Sequence, residues 1–381
     1  MLLLFQLVQS DRNEDIKPHC HFHTNRTYNA ATIYGRWRPM TNDTYGQVHQ
    51  MEDDLACWLR NDSDNRLGKD SRLIFESQDG CIIPLNSIYN PIEFKQRIRF
   101  IGDSITKQHF ETYGHWLGRK DAVNNQYYDY HPAALTIFKR YLLKYHNRTI
   151  PRTQSITKIS SQSLKLGQSI LLDRYLTFIR FDLFLYTNDI MAQAFIYLLL
   201  HLGFHQDDPL NYHDIVIFNF GIHGYQDSME SIRIFVKAWK SLGNRMGITL
   251  PLLLFRETSP QHFFPVLDYI NQDRKYFNKT QYCIRLERIS SNAYDFTTYF
   301  QSLVLKYEIN HYAILHTFNI TIDRYDEHPT LHWYNRNDTE NHNTYYYPYF
   351  SDCTHYCFKS AVFRFWNGIL NIFQAIHAGL I

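Results

Sequence analysis

The sequence has no excess of either charge. Its 39 Lys and Arg against 37 Asp and Glu leave a net +2, so no global basic field recruits nucleic acid. It also has no apolar run long enough for a bilayer. The longest, IMAQAFIYLLLHLGF from Ile190 to Phe204, contains Gln193 and His201 and reads as a core helix. No collagen period, heptad array or solenoid repeat is present. Charged residues at only 20% beside hydrophobic ones at 44% exclude an extended disordered chain and a polytopic membrane protein alike. What is left is a globular body of 381 residues, room for one large domain plus an appendage or for two modest domains. Its bulk is aromatic, with 29 Tyr and 27 Phe, expected as core filler and not as a purpose-built binding surface.

Cysteine is scarce but even in number. Cys20, Cys57, Cys81, Cys283, Cys353 and Cys357 permit three disulfides without fixing any pairing. N-x-S/T sequons begin at Asn25, Asn42, Asn61, Asn147, Asn278, Asn319 and Asn337, more than composition alone supplies. Together these point to the secretory pathway over the cytosol. The opening MLLLFQLVQ is too short for a span and lacks a basic n-region and a cleavage site. Residues 1–17 read either as the stub of a signal or signal-anchor, or as a buried first strand.

Residues 18–93 are rich in His, Asn, Asp and Arg, poor in apolar runs, and hold three of the cysteines. Such a segment cannot build a large core and is expected as a disulfide-pinned cap on the remainder of the chain. HCHFH at His19 to His23 has no second ligand cluster at zinc spacing, so no metal site is expected there. From residue 94 to 381 the pattern alternates between strand and helix. RIRFIGDS is a strand running into a tight turn, and SITKQHFETYGHWLG the helix after it. DIVIFNFG (Asp214–Gly221), LPLLLFRETSP and HYAILHTFNI are further strands. SMESIRIFVKAWKSLGN is a helix stopping at Gly243-Asn244, YDFTTYFQSLVLKYEIN is another, and a last amphipathic helix spans Lys359 to His377. This order predicts an α/β fold, a mainly parallel sheet covered on both faces, with its site beyond the carboxyl ends of the strands.

The polar clusters fall at those ends. Gly102-Asp103-Ser104 follows a strand and opens a helix, which exposes the Ser104 hydroxyl beside backbone N–H groups able to hold an oxyanion. Helix capping by Asp103 or Ser104 is the plainer use of the same residues. Late in the chain stands Asp352-Cys353-Thr354-His355-Tyr356-Cys357. A serine hydroxyl needs a base, and the base an orienting carboxylate; Asp352 and His355, three residues apart, can supply both from one loop. A zinc reading of Cys353, His355 and Cys357 lacks further ligands. Asn219 and Gly221, after a buried strand, are candidates for completing an oxyanion hole, with loop closure as the alternative for Asn219. Arg256 either orients a substrate or makes a structural ion pair. His223 and His262 are weaker candidates among 20 His.

In combination these blocks resemble the trichome birefringence-like proteins, the PC-esterase branch of the SGNH/GDSL superfamily. The resemblance runs from about Arg36 to the C-terminus. RFIGDSITKQHF is similar to the family's F-V-G-D-S-L-x-R-N-Q block, DCTHYCF to D-C-x-H-W-C-L, and FRETSPQHF to R-x-x-S-P-x-H-F. DIVIFNFGIH corresponds to a strand followed by Asn-x-Gly and a His, and RWRP with Cys57 and Gly80-Cys81 faintly matches a Cys-rich N-terminal module. The resemblance implies a three-layer α/β/α sandwich and a Ser104–His355–Asp352 triad, with Gly102, Asp103, Asn219, Gly221 and Arg256 around the oxyanion and substrate. It implies an O-acetyltransferase taking acetyl from a donor co-substrate, with no bound cofactor or metal, and passing it to a polysaccharide or glycan hydroxyl. The expected setting is the Golgi lumen, as a single-pass type II membrane protein anchored by a missing N-terminal helix, or secretion. An acetylesterase of the same fold and a catalytically silent glycan-binding protein remain alternatives. Lys107 stands where the family has Arg, and the Asn-Phe-Gly-Ile-His run has one residue more between Gly and His and lacks the family's Trp. Acceptor specificity therefore does not transfer.

Overall fold

The computed structural model of the chain describes residues 35–39, 73–77, 96–117, 127–128, 131–146, 169–171, 176–180, 188–201, 209–221, 225–262, 291–322, 324, 328, 335–336, 345–346, 354–356 and 360–379. In chain order the elements are β1 (Gly35–Pro39), β2 (Leu73–Ser77), β3 (Ile98–Gly102), α1 (Ser104–Trp116), β4 (Tyr127–Tyr128), α2 (His131–His146), β5 (Ser169–Leu171), β6 (Leu176–Arg180), α3 (Asp189–His201), β7 (Ile215–Asn219), α4 (Tyr225–Met246), β8 (Leu252–Arg256), α5 (Ser291–Lys306), β9 (Tyr312–Leu315), α6 (Phe318–Thr321), β10 (Asn335–Arg336), β11 (Tyr345–Tyr346) and α7 (Ala361–His377). One sheet has the order β4-β5-β6-β3-β7-β8-β9. Strands β6, β3, β7, β8 and β9 are parallel, with β5 and β4 added antiparallel at one edge. This is an α/β fold.

The parallel strands are continuously apolar because both their faces are buried. Alternation sorts the side chains. Ile101, Ile179, Val216, Phe218, Leu253 and Phe255 pack with residues of α2, α3, α4 and α5. Ile98, Phe100, Phe178, Ile217, Leu254 and Leu315 pack with α1 and α7. The helices show the matching stripes: α4 buries Ile232, Phe235, Val236, Trp239 and Leu242 at helical spacing and exposes Asp227 and Glu230. The run Ile190–Phe204 supplies α3, buried over Ala192–His201, and among the described residues no helix is long and apolar enough to cross a membrane. Fully burying each large apolar side chain contributes about 1.5–3 kcal/mol.

Two arginines in or beside the central strand are exceptions that the packing satisfies. Arg99 donates to Thr177 Oγ1 at 2.9 Å and to the Leu199 carbonyl. Arg97 grips Asp214 through Nε and Nη2, the latter 2.7 Å from Oδ2, while its own amide donates to Oδ1 at 2.9 Å. That buried pair ties the start of β3 to the start of β7. Removing one partner would strand the other, at a cost of about 3–5 kcal/mol.

Helix α4 does not stop at Gly243-Asn244 as its composition suggests. It runs one turn further and ends where Gly247 takes a left-handed φ of 65°, with the Ile248 amide returning to the Gly243 carbonyl at 3.3 Å. A Cβ placed at Gly243 would meet the Leu250 side chain at 3.5 Å, an ordinary contact. Helix α2 and strand β6 are structural elements that periodicity does not single out. Among residues 18–93 the described ones are β1 and β2, paired antiparallel with Trp37 opposite Phe75, and β2 lies alongside α7. All six cysteines lie outside the described residues.

Burial also sets an acid limit. His201 and His377 are both pushed down to about 4, by burial foremost. The unfolded chain protonates each below pH ~6.5, while the folded chain stays neutral until about pH 4. Their stabilisation is therefore complete above the upper value and is lost as pH falls between the two. Glu111, raised by burial, works in the opposite sense. The thermal midpoint is expected to fall between pH 6.5 and 4.5, and the double substitution His201→Gln with His377→Gln to flatten that fall. A wild-type midpoint constant across the window would contradict the assignment.

Candidate active site

The site begins where β3 meets β7. Gly102 has a φ of 154°, and a Cβ placed there would lie 2.4 Å from the Asn219 carbonyl oxygen and 2.6 Å from Thr106 Oγ1. Only glycine lets the turn come this close. β3 is also where the sheet's winding reverses, with β6 on one side and β7 on the other, so the turn sits at the crevice favoured for ligands in such sheets.

Asp103 next caps α1. Its Oδ1 accepts from the Thr106 amide at 3.0 Å and the Thr106 hydroxyl at 3.2 Å, and its carbonyl accepts the first helical bond from Lys107 at 3.0 Å. The amides of Ser104 and Ile105, the first two of the helix, have no carbonyl within it to pair with. They leave a positive helix end beside the Ser104 hydroxyl. Capping thus falls to Asp103, and Ser104 is left for other contacts.

Ser104 Oγ lies 2.7 Å from His355 Nε2. These residues are 251 positions apart in the chain, and both are partly exposed. A serine O–H donating to Nε2 requires the ring proton on Nδ1. The His355 loop is held by its backbone: Gln108 Nε2 of α1 donates to the Tyr356 carbonyl at 3.1 Å, and buried His328 donates from Nδ1 to the His355 carbonyl at 2.6 Å. The Tyr356 ring stacks on His328, with centroids 4.3 Å apart, and meets the Trp366 ring edge-on.

Asn219 and Gly221 are engaged with each other. Asn219 is fully buried; its Nδ2 donates to the Arg256 carbonyl at 2.7 Å and to Thr258 Oγ1 at 3.0 Å, and its Oδ1 accepts the Gly221 amide at 3.0 Å. Both amide hydrogens are used, so Asn219 braces the ends of β7 and β8. A Cβ on Gly221 would lie 1.7 Å from Thr258 Oγ1, which explains the glycine there.

Arg256 is 1% exposed. Its Nη2 donates to Thr106 Oγ1 at 3.1 Å and lies 3.9 Å from Asp103 Oδ1, and the guanidinium sits 5.0 Å from the Trp366 ring. Burial lowers its pKa to about 10, against the opposing pull of Asp103 and Tyr356. It remains charged and anchors the start of α1 from below. Neighbouring His109 is fully buried, and burial, reinforced by the Arg256 charge, keeps it well below the usual imidazole range. It is a neutral packing ring between Phe100 and Trp366. At the same strand end Glu257 accepts from His316 Nδ1, the Thr297 hydroxyl and the amides of Thr317 and Phe318. Burial pushes that carboxyl up, but the His316 contact and the other donors outweigh it and hold it below the usual range. Lys107 pairs with Glu111 at 3.4 Å along α1.

Asp352, His223, Cys353 and Cys357 lie outside the described residues. Among the described residues, no group of three or more His, Cys, Asp or Glu is placed to hold a metal ion. Sequence reasoning missed Gln108, Thr258 and His328. Gln108, four positions after Ser104 and so on its helix face, was the one with a readable signal. Compared by sequence with models of protein families and with characterised proteins, the chain matches none.

Gly102→Ala is expected to destabilise the protein by about 2–4 kcal/mol, because the new methyl meets backbone and the φ is unfavourable. Urea unfolding measures it, and a midpoint equal to wild type would contradict the close approach of β3 and β7.

Proposed function

We propose that this chain is an O-acetyltransferase that moves an acetyl group to a hydroxyl of a polysaccharide or glycan through a covalent intermediate on Ser104. The observation that carries the reading is the 2.7 Å contact between Ser104 Oγ and His355 Nε2 at the turn of the central strand. A serine activated by a base beside a helix N-terminus is suited to acyl transfer. The resemblance of the GDS and DCTHYC blocks to the trichome birefringence-like proteins supplies the acetyl and glycan parts of the proposal. It also supplies the finer fold, a three-layer SGNH-type sandwich under a cap of residues 18–93, and the Golgi-lumenal or secreted setting.

In the first step His355 Nε2 takes the Ser104 proton while Oγ attacks the acyl carbonyl of the donor. Charge collects on the carbonyl oxygen, and the amides of the first turn of α1, which have no carbonyl partner within the helix, are the donors assigned to it. The protonated imidazole then gives its proton to the departing donor oxygen, leaving acetyl-Ser104. In the second step His355 takes the proton of the acceptor hydroxyl, that oxygen attacks the acetyl carbon, and Ser104 is released with its proton restored. Asp352 is assigned the part of accepting from His355 Nδ1, which fixes the tautomer the step requires.

Purified protein incubated with an acetyl ester and candidate oligosaccharides, followed by mass spectrometry, tests this. Acetylated sugar that is absent with Ser104→Ala and with His355→Ala is expected, the loss being about 10³-fold or more for each. Acetate release without acetylated sugar would replace transfer by hydrolysis. Wild-type turnover in Ser104→Ala would remove the mechanism altogether.

A further inference from the structure

Behind the His355 loop lie two further histidines, His262 and His328, both fully buried. His262 follows β8 and His328 follows α6. His262 Nε2 is 2.8 Å from the Ile322 carbonyl oxygen, and His328 Nδ1 is 2.6 Å from the His355 carbonyl oxygen. A carbonyl oxygen only accepts, so each of these two nitrogens carries a hydrogen. The two remaining nitrogens, His262 Nδ1 and His328 Nε2, face each other at 2.6 Å. If both rings were neutral, with their single hydrogens already directed to the carbonyls, two lone pairs would meet at that distance with nothing between them. Turning either ring's hydrogen into the gap would set a bare ring nitrogen against a carbonyl oxygen, at 2.8 Å for Ile322 or 2.6 Å for His355.

We infer that His262 and His328 share one additional proton across this gap, and that the resulting pair positions His355. Three hydrogens then serve four nitrogens: one to Ile322, one to His355 and one between the rings. The pair as a whole bears a single positive charge, and the stacked Tyr356 face lies against it, a favourable site for a cation. The chain of bonds runs from the Ile322 carbonyl, just past α6, to the carbonyl of the residue whose ring meets Ser104. The loop thereby inherits the rigidity of the sheet's carboxyl edge. The positioning half of this inference rests on His355 being the base for Ser104; the shared proton does not.

The test has two arms. In protein labelled with nitrogen-15 histidine, proton NMR is expected to show one far-downfield imidazole N–H coupled to nitrogens of both rings, lost in His262→Gln and in His328→Gln. Its absence from wild type, with both facing nitrogens showing the shifts of bare imidazole nitrogen, would overturn the shared proton whatever Ser104 does. The second arm measures the rate at which a fluorophosphonate probe labels Ser104. His262→Gln, which reaches the His355 carbonyl through the His328 ring, is expected to slow labelling by about ten- to a hundredfold while circular dichroism stays native. Labelling at the wild-type rate in that folded variant would overturn the positioning role. A wild-type Ser104 inert to the probe, with the resonance present, would overturn the active-site reading and leave the proton assignment standing.

Discussion

The candidate site depends on one close approach, the turn after β3 lying against the carbonyl of Asn219. Gly102 has no side chain to prevent it, and its φ of 154° sends the chain sharply from strand into helix. The consequence is geometric: α1 starts with its N-terminus at the crevice where the sheet's winding reverses, and Ser104 stands at that end. Longer side chains at position 102 would push the two central strands apart at the point where the chemistry has to be held.

Around that turn the structure uses buried polar groups as braces. Asp103 caps α1, Thr106 links Asp103 to Arg256, and Arg256 rests on Trp366, whose helix α7 covers the same face of the sheet. Asn219 joins the ends of β7 and β8. Gln108 and His328 hold the His355 loop by its backbone. Each brace ties a functional residue to a different element, so Ser104 and His355 meet although they are far apart in the chain. Burying charge for this purpose costs desolvation, and the compensation is specific geometry more than net stability.

Much of this was legible. Parallel strands β3, β7, β8 and β9 were readable because strands buried on both faces are continuously apolar, while β6 was not. The Ser104 and His355 blocks stood out as polar clusters at a strand end and in a loop, and the structure brings the two side chains together. The ends of α4 and the role of Asn219 were less so. Gly243-Asn244 has the composition of a stop, but the stop is made by the conformation of Gly247, which composition does not show. Asn219 sits where an oxyanion donor would, yet its partners Thr258 and the Arg256 carbonyl come from the neighbouring strand, and register across a sheet leaves no local mark. His328 is the plainest case, since nothing in its surroundings in the chain distinguishes it, and its importance comes wholly from what two distant segments place beside it.

The central claim is that Ser104 becomes covalently acylated with His355 as its base. Mixing the protein with an activated acetyl ester, quenching in acid within the first turnovers and mapping the peptides by mass addresses it directly. The account predicts an acetyl group on Ser104 in wild type that is missing in His355→Ala. Acetylation elsewhere, or an acetyl group on Ser104 formed equally fast without His355, would contradict it.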